Sequence, residues 1–174
     1  GTLDPRAWTV TGSLSIGSNQ VYTGTGSGTA VIDLGVANMD VQIQIPDATS
    51  ASLIWRWTDA SNHLRLDLVV GSGTWWVYKV VSGTFTQLST GSGVSGGATW
   101  RAVTSGSSIT VYKDSTQIYT GTDSANSAAT KAGFILGNSS SRANNWSATS
   151  ITVPGGVWTK AQANTSTTAD AIGV

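Results

Sequence analysis

Between Arg56 and Tyr78 the chain gathers Arg56, His63, Arg65, Asp67, Trp76 and Tyr78. Planar polar groups beside aromatic rings are the chemistry of sugar recognition. A ring lies under the apolar face of a pyranose, and Arg, Asp or His groups bond its hydroxyls. Hydrolytic chemistry finds less support. Glycoside hydrolysis ordinarily takes two carboxylates, about 5–5.5 Å or about 6.5–9.5 Å apart. All 9 acidic residues here are aspartate, and no Asp-x-Asp pair falls on an expected strand. His63 is the 1 histidine of the chain, and no Gly-x-Ser-x-Gly elbow ahead of a helix supplies it with a nucleophile. Gly71-Ser72-Gly73 and Gly91-Ser92-Gly93 read as turns. The expectation is therefore a binding face without catalysis.

Metal and cofactor chemistry is equally thin. One His and no Cys argue against zinc. Asp59, Asn62, Asp114 and Asp123 are oxygen donors of the kind a structural calcium takes. They are also ordinary solvated turn residues. No cofactor is expected.

Strand periodicity must position these groups. Residues 51–81 read as three antiparallel strands joined by two polar turns. Successive strand residues point to opposite faces. Leu64, Leu66 and Leu68 therefore take one face of the middle strand, and His63, Arg65 and Asp67 take the other. On the preceding strand, strict alternation turns Leu53, Trp55 and Trp57 inward and sets Arg56 outward beside Arg65. On the following strand two parities are open. With Lys79 outward, Trp75 accompanies it and Trp76 and Tyr78 enter the core; in the opposite parity Trp76 and Tyr78 face out. A purely structural alternative makes Arg56, Arg65 and Asp67 a cross-strand ion-pair ladder, contributing about 0.2–1 kcal/mol per pair, with the tryptophans as core.

The rest of the chain reads as short strands too. They are expected at Trp8–Val10, Leu14–Ile16, Asn19–Thr23, Thr29–Asp33, residues 37–45, Thr84–Ser89, Thr99–Thr104, Ser108–Lys113, Gln117–Thr120, Ala132–Gly137 and Asn145–Thr152. Residues 122–132 form a polar loop with room for one helical turn. In 174 residues there are 21 glycines, 3 prolines and abundant Ser and Thr. That composition suits an all-β sandwich. A formal net charge of +0 with 10% charged residues gives no electrostatic footprint for nucleic acid, and no apolar run is long enough to insert in a membrane. Pro154-Gly155-Gly156 marks a boundary. Residues 1–153 are expected as the sandwich, and residues 154–174 as a linker and the start of a second small β module. A tail that packs back on the sandwich is the alternative. The sequons at Asn138, Asn145 and Asn164 are what chance supplies in a Ser/Thr-rich chain.

Residues 53–69 resemble the "apolar–Trp/Phe–Arg–x–x–Asp–x–x–Asn–x–x–x–Leu" stretch of concanavalin A-like (LamG-type) domains, here Ile54-Trp55-Arg56-Trp57-Thr58-Asp59, Asn62 and the strand His63–Val69. Trp75–Gly83 resembles that family's "Leu-Tyr-Lys-Val-x-x-Gly" strand, and Trp100–Val103 with Ser108–Asp114 its paired strands. Ala132–Gly137 and Arg142–Ala148 resemble the closing pattern, with Asn144-Asn145-Trp146 where Asp-Asn-Phe is usual. The resemblance covers about residues 8–152 and implies a two-sheet antiparallel jelly-roll β-sandwich. It also implies the parity with Trp75 and Val77 inside and Trp76 and Tyr78 outside. Catalytic members of the fold use paired glutamates, which this chain lacks, and Asn144 replaces the aspartate that helps hold calcium in many relatives. Trp158–Asn164 through Ala171–Val174 is similar to short β modules of tailed-phage tail and fibre proteins. That second resemblance implies a virion surface domain, a homotrimer, other tail proteins as neighbours and a host-surface polysaccharide or glycan as partner. A carbohydrate-binding module of a secreted bacterial protein and an inert decoration domain are the alternatives.

Overall fold

The computed structural model describes residues 2–18, 20–46 and 50–150, and the backbone of 160–162. Within them the chain is built from strands: β1 (Trp8–Gly12), β2 (Ser15–Gly17), β3 (Gln20–Tyr22), β4 (Gly28–Asp33), β5 (Met39–Gln44), β6 (Ser50–Asp59), β7 (Asn62–Val69) and β8 (Thr74–Val81). They continue as β9 (Thr84–Ser92), β10 (Thr99–Ser105), β11 (Ser108–Lys113), β12 (Thr116–Thr122), β13 (Lys131–Leu136), β14 (Arg142–Ser150) and β15 (Lys160–Gln162). A single 3-10 turn, Val70–Ser72, joins β7 to β8. The loop 122–132 makes two successive tight turns, Ser127 N–H to Ser124 O and Asn126 O to Ala129 N–H, instead of the expected helical turn.

The strands form two antiparallel sheets. One has the order β1-β4-β13-β6-β7-β8-β9; the other runs β12-β11-β10-β5-β14-β3-β2, with β15 beside β14. The two-sheet sandwich is the expected one. The boundary expected at Pro154, and all of residues 154–174 except the backbone of 160–162, lie outside the described residues.

Alternation explains the core. Met39, Val41 and Ile43 of β5 are all 0% exposed, as are Leu64 and Leu66 of β7 and Trp100 and Ala102 of β10. These side chains belong to one apolar cluster shared by both sheets. Each fully buried aliphatic chain contributes roughly 1.5–3 kcal/mol. Trp8 of β1, Phe134 of β13 and Trp146 of β14 pack ring on ring across the sandwich, with Trp8 and Trp146 centroids 4.8 Å apart at 71°. The Trp146 indole N–H donates to the Gly133 carbonyl at 3.1 Å, so one side chain of the second sheet is pinned to the backbone of the first.

Both β9 and β12 end a sheet, and each carries a bulge. Pairing slips between Val77 and Tyr78 opposite Leu88, and between Val111 and Tyr112 opposite Ile118. Leu88 and Ile118 are therefore left out of the ladder, and both pack against the core. An extra residue of this kind bends the strand and raises its twist.

Gly133 sits on β13 between β4 and β6, facing Val31 and Ile54. A Cβ there would stand 1.8 Å from the Ala30 carbonyl oxygen. Backbone cannot yield as a side-chain tip can. Gly133→Ala is expected to destabilise the sandwich by about 3 kcal/mol or more, read as a fall in the denaturant midpoint; an unchanged midpoint would contradict the close approach of β4 and β13.

Candidate glycan-binding face

The hairpin β6–β7 and the strand β8 carry all six candidate residues, and the structure divides them into two groups. Arg65 and Asp67 point away from the core on β7. Trp76 pairs with Asp67 and Tyr78 with Arg65 across the β7–β8 ladder. Trp75 and Val77 lie in the inter-sheet cluster, so Trp76 and Tyr78 take the outer face, the parity implied by the family resemblance. Together with Ser50, Ser52, Val69, Gly137, Asn138 and Ser141 these four residues line an open depression of about 280 Å³. That is close to the lower limit of about 300 Å³ for small-molecule pockets.

A closed polar triangle forms its floor. Arg65 Nε donates to Asp67 Oδ1 at 2.6 Å, and Nη2 lies 2.5 Å from the same oxygen. Nη2 also donates to Ser52 Oγ at 2.8 Å, and the Ser52 hydroxyl donates to Asp67 Oδ1 at 2.6 Å. The side chains of Arg65 and Asp67 keep 18% and 22% exposure. Charge-assisted bonds of this kind fix both groups in place. Phe85 of β9, 53% exposed, borders the floor: the Arg65 guanidinium carbon is 5.5 Å from its ring centroid, and Tyr78 meets it edge-on at 5.8 Å.

Arg56 does not join this face. It has φ +49°, and the pairing of β6 slips there against both β7 and β13. The bulge breaks the alternation between Trp55 and Trp57. Trp55 stays in the core, while Trp57 stacks on His63 with centroids 4.7 Å apart. The Arg56 side chain, 0% exposed, donates to the Asp123 carbonyl at 3.0 Å and to the Gly106 carbonyl. Burial lowers its pKa from the usual arginine value, with the nearby Asp123 charge opposing. The outward Arg56 and inward Trp57 expected from strict alternation are thus corrected: a bulge, which leaves no periodicity to read, reverses both. The cross-strand ladder is corrected with them. Arg65 and Asp67 pair within one strand, and Arg56 joins Lys79 in reaching Asp123, whose carboxylate Lys79 meets at 2.8 Å.

His63 lies on the outer side of β7 as expected, but it is only 2% exposed and does not line the depression. Its Nδ1 faces the Asp59 carbonyl at 3.2 Å. A carbonyl only accepts, so Nδ1 carries the proton, and the buried Nε2 has no partner among the described residues. Burial pushes the His63 pKa below its ordinary value; the Asp59 carbonyl opposes this, and the Arg65 charge adds to it. Ile54 and Val80, cross-strand neighbours of Arg65 and His63, are 0% exposed yet outside the inter-sheet core. The outer face therefore has a closed half around Trp57 and His63 and an open half around Arg65, Asp67, Trp76 and Tyr78.

Ser52, Asn138 and Ser141 were not among the expected residues. Counting outward from Asp59 and Asn62 sets Ile54 opposite Asp67; the slip at the bulge sets Ser52 there instead. Asn138 and Ser141 come from the β13–β14 loop, which no strand pattern ties to β7.

The turn residues weighed for calcium are spent locally. Asp59 accepts from Ser61 N–H and the Asn62 amide, Asp114 from Thr99 N–H, and Asp123 from Lys79 and Ala125 N–H. Among the described residues no three His, Asp, Glu or Cys side chains converge as metal ligands.

The two antiparallel sheets and their strand order make a jelly-roll sandwich of concanavalin A-like fold. Solved structures similar to the chain share that fold. A carbohydrate-binding module, CBM66 from Bacillus subtilis, superposes with a TM-score of 0.63 at 15% identity over 79% of this chain and 91% of that one. The exoplasmic/lumenal domain of VIP36, in a form bound to Ca2+ and Man3GlcNAc, gives 0.64 at 11% identity over 88% and 87%. A Bacillus licheniformis β-glucanase gives 0.62 at 12% over 87% and 95%. No family model matches the chain, and no curated protein sequence does.

Two outcomes follow. Arg56→Ala strips donors from two carbonyls and is expected to cost about 2–4 kcal/mol, seen in chemical denaturation, with little change in any binding at the open half. For His63, a depressed folded pKa means that the unfolded chain takes up a proton first. Its stabilisation is complete above the unfolded pKa of about 6.5 and is lost as pH falls through the lower folded value. Unfolding free energy should therefore drop between about pH 7.5 and 5.5, and His63→Gln should flatten that slope.

Proposed function

We propose that this chain is a non-catalytic carbohydrate-binding domain whose ligand lies on the open half of the β6–β7–β8 face. The observation that carries this reading is the joint presence of two outward aromatic rings, Trp76 and Tyr78, and a rigid polar floor, Arg65 and Asp67, around one depression. Rings supply the apolar platform and the floor supplies directed hydrogen bonds. The carbohydrate-binding module and the glycan-bound lumenal domain among its structural neighbours support the same reading by analogy of fold.

The finer proposal is that the domain sits on the surface of a tailed-phage virion, in a homotrimeric fibre or tail-associated protein, beside other tail proteins, and takes a host-surface polysaccharide. Its support is the resemblance of residues 158–174 to phage fibre modules. The second reading, a binding module of a secreted bacterial protein, is favoured by the likeness to the Bacillus subtilis module. Light scattering on a chain extended past Val174 separates them: a trimer supports the fibre, and a polysaccharide-binding monomer supports the free module.

Retention on immobilised polysaccharides and on bacterial envelopes tests the site. The double change Arg65→Ala, Trp76→Ala is expected to weaken retention at least tenfold while stability stays within about 1 kcal/mol, roughly 2–4 °C in thermal midpoint for a chain of this size. A collapse of the midpoint would mark these residues as structural. Full retention by the double variant would sink the binding face.

A further inference from the structure

All four contacts inside the polar triangle end on one carboxylate oxygen or on the serine between. Asp67 Oδ1 meets Arg65 Nε, Arg65 Nη2 and the Ser52 hydroxyl. Asp67 Oδ2 and Arg65 Nη1 have no hydrogen-bond partner among the described residues, and both side chains remain about one-fifth exposed at 22% and 18%. The floor thus offers an acceptor and a donor held by one ion pair, with Trp76 and Tyr78 across the ladder. The Asn138 amide nitrogen, likewise without a partner among the described residues, borders the same depression.

The charge balance is equally specific. The Arg65 and Asp67 charges cancel, and among the described residues no other cation lines the depression. Arg142, next to Ser141, spends its guanidinium on the Ser139 and Ser141 carbonyls and on the Tyr22 ring 5.3 Å away. A carboxylate or sulfate entering here meets no net positive charge among the described residues, since any gain at Arg65 Nη1 is opposed by the paired Asp67 carboxylate. A hydroxyl meets no such penalty, because it donates to Oδ2 and accepts from Nη1 with equal ease.

Resting on the carbohydrate-binding reading, we infer that the ligand is a neutral glycan recognised through a pair of adjacent hydroxyls. One hydroxyl donates to Asp67 Oδ2, its neighbour accepts from Arg65 Nη1, and the ring stacks on Trp76 or Tyr78. Uronic, sialic and sulfated sugars are rejected at this site. A neutral, short-range contact also makes binding insensitive to ionic strength, unlike recognition of a polyanion.

The experiment uses the whole chain and two panels: mannan, levan and galactan as neutral polymers, and polygalacturonate, hyaluronan and polysialic acid as acidic ones. Binding to at least one neutral polymer is expected, unchanged by added salt, and lost when that polymer is treated with periodate, which cleaves the bond between adjacent hydroxyl-bearing carbons. Asp67→Asn, which converts the acceptor to a mixed amide, is expected to weaken neutral binding at least tenfold. Periodate acts on the ligand alone, so the test stands even if that variant folds poorly. Preferential, salt-sensitive binding to the acidic panel, or binding that survives periodate, overturns the neutral-diol assignment and leaves a carbohydrate-binding face intact. No binding to either panel overturns the carbohydrate reading itself.

Discussion

The buried guanidinium of Arg56 is the constraint on which the rest of this sandwich depends. It sits on a left-handed residue, a conformation that costs a non-glycine residue roughly 1–2 kcal/mol, at the bulge of β6. Three consequences flow from that one position. The strand keeps Trp55 in the core while passing Trp57 to the outer face. The register of the β6–β7 hairpin shifts so that Ser52 meets Asp67. And the side chain crosses to the opposite sheet, where it holds the backbone of the β10–β11 turn and the end of β12 through Gly106 and Asp123. Lys79 repeats the crossing on β8 by pairing with the Asp123 carboxylate. Burial works against ionisation of that carboxyl, yet the Lys79 bond and the Ala125 N–H outweigh it and hold its pKa below the ordinary range.

The strands were legible because most of them alternate without interruption. Residues 39–45, 62–69 and 99–104 announce their inward faces by type alone, and each inward residue named there is buried. Parity on β8 was not decidable from residue types, since Trp75 and Trp76 offer a large ring to either face; the family likeness resolved it and the core cluster agrees. What stayed hidden has a common physical cause. A bulge adds a residue without changing composition, so the fate of Arg56 and Trp57 and the Ser52–Asp67 contact left no trace in the periodicity. His63 illustrates a second limit: alternation gave its face correctly and said nothing of the Trp57 ring that seals it from solvent.

Electrostatics and packing cooperate on the open half in an unusual proportion. The chain holds only 10% charged residues, and several are used as braces: Arg56 on carbonyls and Lys79 on Asp123 between the sheets, and Arg101 on Asp40 at 2.6 and 2.7 Å on a partly exposed face. Arg65 and Asp67 are braced too, with about one-fifth of each side chain left exposed. Groups braced this way would lose little freedom on meeting the ligand proposed for this face. The β13–β14 loop supplies the other wall through Asn138 and Ser141, whose own turn is tied by the Asn138 side chain to Ser140 and Ser141. Floor and wall thus come from segments far apart in the chain, and the sheet can keep its floor while the loop varies.

The bulges at Leu88 and Ile118 bear on how the protein survives at high concentration. Neither β9 (Thr84–Ser92) nor β12 (Thr116–Thr122) contains a charged residue or a proline, the usual guards of a sheet margin. With a formal net charge of +0 the molecules also lack mutual repulsion. Shape has to do what charge does elsewhere. By turning one apolar side chain inward and twisting the margin out of register, each bulge denies a neighbouring molecule a straight template for strand addition. At these two margins the guard against strand addition is thus a local irregularity of backbone geometry, where other proteins place a charge or a proline.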